Sequence, residues 1–190
     1  MMFRSISLTI LLVLAAYPAL AHPGHLESGF LHPLTGLDHI LAMTGVGLWA
    51  ALLGSRQPSA IFLLPVAFVV MMAGGAAAGF AGMKLPIAEA GILASMFLLG
   101  GLMLIAVRVA VPMAMGVVAL FAVFHGYVHA LEAPLLDTGE YMLGFLAATT
   151  LLLGAGVALG WSVRRLVGDL GLRALGGLML AGGAYVLVTQ

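Results

Sequence analysis

The chain contains six apolar stretches of about 20 residues each, separated by short breaks, and this pattern limits the folds open to it. They cover roughly residues 32–53, 60–80, 87–107, 112–131, 141–161 and 174–189. A helix of this length crosses about 30 Å of hydrocarbon while satisfying its own backbone hydrogen bonds. The sequence therefore predicts an all-α integral membrane bundle of six transmembrane helices.

The composition excludes several classes of protein. Of the 190 residues, 63% are hydrophobic and only 7% are charged, whereas soluble domains carry about 25% charged residues. Seven basic residues balance seven acidic ones, so nothing favours binding to nucleic acid. There is no Walker loop for a nucleotide, and with no cysteine there is neither a disulfide nor a thiolate metal site.

Residues 1–21 have the features of a signal peptide. Arg4 precedes an apolar run, Pro18 ends it, and Ala19-Leu20-Ala21 is a small-x-small cleavage pattern. We expect cleavage after Ala21, with residues 22–190 forming one six-span transmembrane domain. The alternative is an uncleaved anchor, which would keep the first segment in the membrane.

Positive charge is distributed unevenly between the predicted loops. One side of the membrane receives Arg56, Arg108, Arg164, Arg165 and Arg173. The other side receives only Lys84. Because loops rich in Lys and Arg stay in the cytoplasm, the arginine side is predicted to be cytoplasmic. Both mature termini would then be periplasmic, in the inner membrane of a bacterium.

The histidines fall into two clusters, residues 22–39 and 124–132. In the first predicted span, His32 and His39 are seven residues apart and share a face, with Asp38 beside them. In the fourth, His125, His129 and Glu132 follow i, i+4 and i+7 spacing. The two spans run in opposite directions, which places both clusters in the outer third of the membrane. They would form one site if the two helices are neighbours.

Ionisable side chains inside a membrane are costly and usually mark an ion, proton or substrate pathway. Imidazole and carboxylate donors without thiolate suit Ni²⁺, Co²⁺ or Zn²⁺. Weaker candidates are His22 and His25 at the mature N-terminus, and Met43 one turn beyond His39. Three other interpretations stay open: a membrane cytochrome with histidine-ligated haem, an intramembrane metal-dependent hydrolase, and a structural or accessory membrane protein.

Two motifs resemble the HupE/UreJ family of nickel and cobalt permeases, whose patterns are H-x5-D-H and F-H-G-x-x-H-G-x-E. The first corresponds to His32-x5-Asp38-His39, and the second to residues 124–132, "FHGYVHALE". One departure is Ala130, where the pattern has glycine. The resemblance implies that the metal-handling positions are His32, Asp38, His39, His125, His129 and Glu132.

The resemblance also implies a secondary transporter or facilitator that imports Ni²⁺ or Co²⁺ from the periplasm, and not an enzyme. The ion is then cargo, and no cofactor is permanently bound. The expected partners are the lipid bilayer and the divalent ion, with nickel enzymes such as hydrogenase or urease supplied downstream. The sequence leaves open whether the chain forms a homo-oligomer.

Overall fold

The computed structural model describes residues 25–134 and 137–189. Within these segments all regular secondary structure is helical: α1 His25–Thr35, α2 Leu37–Gly54, α3 Ala60–Phe80, α4 Ala88–Leu104, α5 Val111–Glu132, α6 Thr138–Val167 and α7 Asp169–Thr189. The all-α class is therefore confirmed for this part of the chain. The predicted signal peptide and His22 lie outside it.

Five of these helices are long and apolar enough to cross a membrane: α2, α3, α5, α6 and α7. The third predicted span corresponds to α4, which has 17 residues. At about 1.5 Å per residue it is about 26 Å long, somewhat less than the hydrocarbon thickness. The number, length and apolar character of these helices indicate a multi-pass membrane protein.

The first predicted span, 32–53, is wrong at its N-terminal end. Helix α1 ends at Thr35 and α2 begins at Leu37, so His32 and His39 lie on different helices. Gly36 between them has extended backbone angles and serves as the N-cap of α2. A Cβ at Gly36 would lie 2.5 Å from His39 Nδ1 and 2.8 Å from Asp38 Oδ1. Only glycine leaves room for both side chains here.

The other predicted segments lie within or close to the observed helices. The segment 60–80 coincides with α3, and α5 differs from 112–131 by one residue at each end. Helix α6 extends beyond 141–161 in both directions, and α7 begins at Asp169, before the predicted 174. Apolar stretches underestimate the length of α6 because charged turns such as Arg164-Arg165 continue the helix beyond the apolar segment.

Helix α2 is the centre of the bundle. It packs against α6, α4, α3 and α7, and most of its residues from Ala42 to Leu53 are buried. The surrounding helices expose large apolar side chains, including Phe62, Leu131 and Val188, as expected for surfaces in contact with lipid. The site-bearing start of α2 is therefore held by neighbours on several sides.

Glycines allow the closest helix contacts. At Gly47 on α2 and Gly156 on α6, an added Cβ would overlap the facing backbone, and the same holds for Gly75 on α3 and Gly126 on α5. Such pairs let two backbones approach each other, which is how helices associate in lipid. They fix α6 against α2 and α5 against α3, and these two helix pairs supply most of the site.

The opposite end of the bundle is cross-linked by arginine. Arg108 donates to the Leu52 carbonyl at 2.7 Å and forms an ion pair with Asp169, which also pairs with Arg164 at 3.0 Å. Gly168, with φ of 75°, makes the reversal between α6 and α7. Helix ends from the two halves of the chain are joined here, at the end remote from the histidines.

Candidate metal centre

The break at Gly36 folds α1 back so that His32 lies beside His39. Their ring centroids are 5.2 Å apart, nearly perpendicular. Helix α1 packs on α6, where an added Cβ at Gly144 would overlap the carbonyl of Leu26. His32 was predicted on the same helix as His39. It lies instead on its own short helix, α1, and reaches the expected cluster from there.

His129 of α5 meets His39 of α2 across the bundle. Their Nε2 atoms lie 2.5 Å apart, and the ring centroid of His129 is 5.0 Å from that of His32. One ring nitrogen from each of His32, His39 and His129 lies within 4.8 Å of the others. Helices α2 and α5 are not packed along each other, so these imidazoles bridge the gap between them.

Each of the two central histidines is held by a carboxylate. Asp38 Oδ1 is 2.8 Å from His39 Nδ1, and Glu132 Oε2 is 2.8 Å from His129 Nδ1. A carboxylate accepts hydrogen bonds, so Nδ1 carries the proton and Nε2 keeps its lone pair. Glu132 Oε2 also lies 3.6 Å from His32 Nε2. Asp38 and Glu132 therefore contact histidines rather than standing alone as donors.

His125 lies one turn further along the bundle from His129. Its Nδ1 donates to the Phe121 carbonyl at 2.9 Å, and its ring is 6.3 Å from that of His39. The side chain is fully buried, and its Nε2 has no hydrogen-bond partner among the described residues. Buried polar atoms are rarely left in this state, so Nε2 is available to a ligand.

Two aromatic residues of α6 also contact the histidine cluster. They were not predicted as site residues from the sequence. Phe145 is fully buried, with its ring centroid 4.4 Å from that of His129 and 6.2 Å from that of His39. Tyr141, one turn earlier, lies 6.2 Å from His32. Their i, i+4 spacing was a signal in the sequence, but it resembles ordinary helix packing.

Two histidines of the cluster, His39 and His129, line a cavity of about 430 Å³ together with Asp38, Glu132 and Glu89. The Glu132 side chain is 49% exposed, whereas His129 is 2% exposed. Exposure falls steeply over one helical turn. A hydrated ion can therefore reach Glu132 before it meets the buried imidazoles.

Two of the weaker candidates, His25 and Met43, lie on α1 and α2. Met43 is fully buried among the apolar side chains of the core, one turn beyond His39. His25 begins α1, seven residues before His32.

His32 lies on α1, outside the helices long enough to span a membrane. Burial, followed by the nearby His39, lowers the pKa of the His32 imidazole below its ordinary value of 6.5, against the opposite effect of Glu132 and Asp38. The lowered pKa favours the neutral ring, which has a lone pair to offer.

The opposed ring nitrogens of His39 and His129 can share a proton or a metal ion. With both protons on Nδ1, two Nε2 lone pairs face each other at 2.5 Å, which is repulsive unless a proton or metal ion lies between them. Metal–nitrogen bonds of about 2.0–2.1 Å place adjacent ligand nitrogens about 3 Å apart. A shift of roughly half an ångström would open the pair for a divalent ion.

Fold and site together define a multi-pass membrane protein with a histidine and carboxylate cluster near one end of its helical bundle. Residues 10–186 match the HupE / UreJ protein family, and the chain belongs to that family. It is 39% identical to Protein HupE of Rhizobium leguminosarum bv. viciae over 188 residues, covering 95% of this chain and 97% of that protein. No solved structure matches the chain.

Proposed function

We propose that the protein is a permease of the bacterial inner membrane that imports Ni²⁺ or Co²⁺ from the periplasm into the cytoplasm. In this proposal α4 serves as a sixth span, residues 1–21 are a cleaved signal peptide, and residues 22–190 form the permease domain. Both mature termini are periplasmic, and the histidine cluster faces the periplasm.

The observation that carries the proposal is the opposed pair of Nε2 atoms on His39 and His129, each with its Nδ1 bound to a carboxylate. This is the arrangement in which protein carboxylates orient histidine metal ligands. His32 supplies a third nitrogen, and Glu132 captures the ion at the mouth. Without thiolates, the donor set favours borderline divalent ions over Cu⁺.

The distance between the Nε2 atoms of His39 and His129 disfavours the interpretation as a haem-binding cytochrome. Two axial histidines hold haem iron from opposite sides, so their Nε2 atoms must be about 4 Å apart, at about 2 Å per metal–nitrogen bond. The His39 and His129 nitrogens lie 2.5 Å apart, leaving no slot for a porphyrin between them. An absorbance spectrum of purified protein checks this point, since a Soret band would contradict the proposal.

A facilitator is sufficient for the proposed transport. No nucleotide-binding motif occurs in the sequence, so the driving force would come from ion gradients or from a partner protein. We propose no enzymatic reaction and no permanently bound cofactor. The ion is delivered to nickel enzymes downstream, and self-association of the chain is left to measurement.

The test is uptake of radioactive nickel into proteoliposomes, with cobalt, zinc and magnesium as competitors. His39→Ala and His129→Ala should each reduce uptake to the level of empty vesicles, because each removes half of the opposed pair. Membrane content and helicity of both variants serve as controls. Normal uptake by both correctly folded variants would refute the site, and absence of uptake by the unmodified protein would refute the function.

A further inference from the structure

Two fully buried polar atoms have no hydrogen-bond partner within the described segments: His125 Nε2 and the Thr149 hydroxyl. Thr149 belongs to α6 and has no part in the proposed site. Its neighbour Thr150 donates to the Leu146 carbonyl at 2.7 Å, the usual bond of a hydroxyl inside an apolar helix. The Thr149 hydroxyl lacks that bond, so it is free for another partner.

Helix geometry places Thr149 and His125 at one level. The rings of Phe145 and His129 lie 4.4 Å apart across the gap between α6 and α5. Thr149 follows Phe145 by four residues, and His125 precedes His129 by four. Because α5 runs toward the mouth and α6 away from it, both steps of four residues move about 6 Å deeper into the bundle on similar faces.

We infer that His125 and Thr149 form a second, inner binding position for the transported divalent cation, one helical turn below the His32, His39 and His129 cluster. The inference rests on the proposed function, because it names the ion's next contact. The ion would exchange nitrogens of the outer cluster for His125 Nε2, the Thr149 hydroxyl oxygen and retained water.

The difference between the two positions favours movement inward. The outer cluster offers three imidazoles, two of them held by carboxylates, whereas the inner position offers one imidazole and one neutral hydroxyl. A permeating ion needs sites that bind well enough for it to enter and weakly enough for it to leave. The weaker inner position provides the release step that a high-affinity cluster alone would block.

Three variants isolate the Thr149 hydroxyl. Thr149→Val keeps the shape and removes the oxygen, Thr149→Ser restores it, and Thr150→Val removes an exposed hydroxyl from the next position of the same helix. Each is reconstituted, and both the initial rate of radioactive nickel uptake and equilibrium nickel binding are measured. Thr149→Val should slow uptake about tenfold, the effect of one lost polar contact to a cation, with binding changed less than about twofold.

Thr149→Ser and Thr150→Val should transport like the unmodified protein. Uptake by Thr149→Val at the normal rate would overturn the inference while leaving the proposed function intact. Loss of both binding and uptake that serine does not restore would also overturn it, since it would indicate a packing role. If the unmodified protein takes up no nickel, the proposed function fails instead.

A second measurement needs no transport. In a variant carrying His39→Ala and His129→Ala, the inner position should still bind Co²⁺ weakly, detected by its visible absorption bands. Adding Thr149→Val to that variant should abolish the residual bands, whereas adding Thr150→Val should not. Equal bands in all three proteins would contradict the inner position.

Discussion

At the scale of single residues, the site depends on which imidazole nitrogen carries the proton. Asp38 and Glu132 each accept from an Nδ1, so the two Nε2 lone pairs point toward each other. The carboxylates therefore do more than add negative charge near a cation. They select the tautomer that can bind a metal and hold each ring in a fixed orientation.

This role predicts the effect of removing the charges while keeping the shapes. In Asp38→Asn and Glu132→Gln the amide can donate to Nδ1, which moves the imidazole proton onto Nε2 and blocks its lone pair. Nickel affinity should fall by about 10- to 100-fold in each, measured by calorimetry on purified protein. Glu140→Gln, an exposed carboxylate near the same end of the bundle, is the matched control and should bind normally.

If Asp38→Asn and Glu132→Gln bind nickel as tightly as the Glu140→Gln control, the orienting role is wrong. A drop confined to Glu132→Gln would indicate capture at the mouth alone. Because Glu132 also faces His32, its variant should show the larger loss of the two.

The sequence predicts that the two histidine clusters meet, because helical spacing and span direction determine depth. His39 was expected at the depth of His125, whereas its ring lies closer to His129, at 4.4 Å between centroids, than to His125, at 6.3 Å. The break at Gly36 was not predicted, because a glycine inside an apolar run usually continues a membrane helix. Thr149 was missed for another reason: a buried threonine becomes notable only when the structure shows that its hydroxyl lacks a partner.

At the scale of helices, glycine contacts between α3 and α5 position His125 and His129. A Cβ at Gly126 would overlap the Met72 carbonyl, and one at Gly79 would lie 2.8 Å from the Ala130 Cβ. Ala130 stands where the resemblance expected glycine, and Gly79 on the facing helix leaves room for its methyl group. The close approach of the two helices is therefore kept despite that departure.

This packing predicts opposite effects of the same substitution along α5. Gly126→Ala should destabilise the protein, because its methyl meets backbone of α3. Gly116→Ala has open space around the new methyl and should be neutral or stabilising by about 1 kcal/mol, the usual helix preference for alanine. Thermal unfolding in detergent measures both.

Gly126→Ala should also lower nickel uptake per folded molecule, because it pushes apart the helices that carry the site. Gly116→Ala serves as the control for this measurement. Equal melting temperatures for the two variants would show that the α3–α5 contact is looser than the structure indicates.

At the scale of the whole molecule, the arginines and the histidine cluster lie at opposite ends of the bundle. Arg56 follows α2, and Arg108, Arg164 and Asp169 form the ion-pair network at that end. Glu132 and Glu140 lie at the other end, with the cavity. The arrangement of helices could be predicted from the sequence as far as direction and order. Which helix occupies the centre could not, because α2 and its neighbours are similarly apolar.

The proposed orientation can be tested directly because the chain has no cysteine. Single cysteines are introduced at two exposed positions, Glu140→Cys near the site and Ser59→Cys near the arginines. A membrane-impermeant thiol reagent applied to spheroplasts should label Glu140→Cys at once and Ser59→Cys only after lysis. The reverse labelling pattern would show that the membrane orientation is opposite to the one proposed, with the cluster facing the cytoplasm.

The proposed energetics predict how far uptake proceeds. For a divalent cation, a potential of about 100 mV, negative inside, is worth roughly 4.6 kcal/mol, or accumulation by about three orders of magnitude. Proteoliposomes with a potassium gradient and valinomycin should therefore concentrate nickel, and those without a potential should only equilibrate it. A proton gradient imposed alone separates the alternatives, because histidines that bind metal also bind protons. Accumulation driven by that gradient at zero potential would contradict a simple facilitator and indicate proton coupling through the same imidazoles.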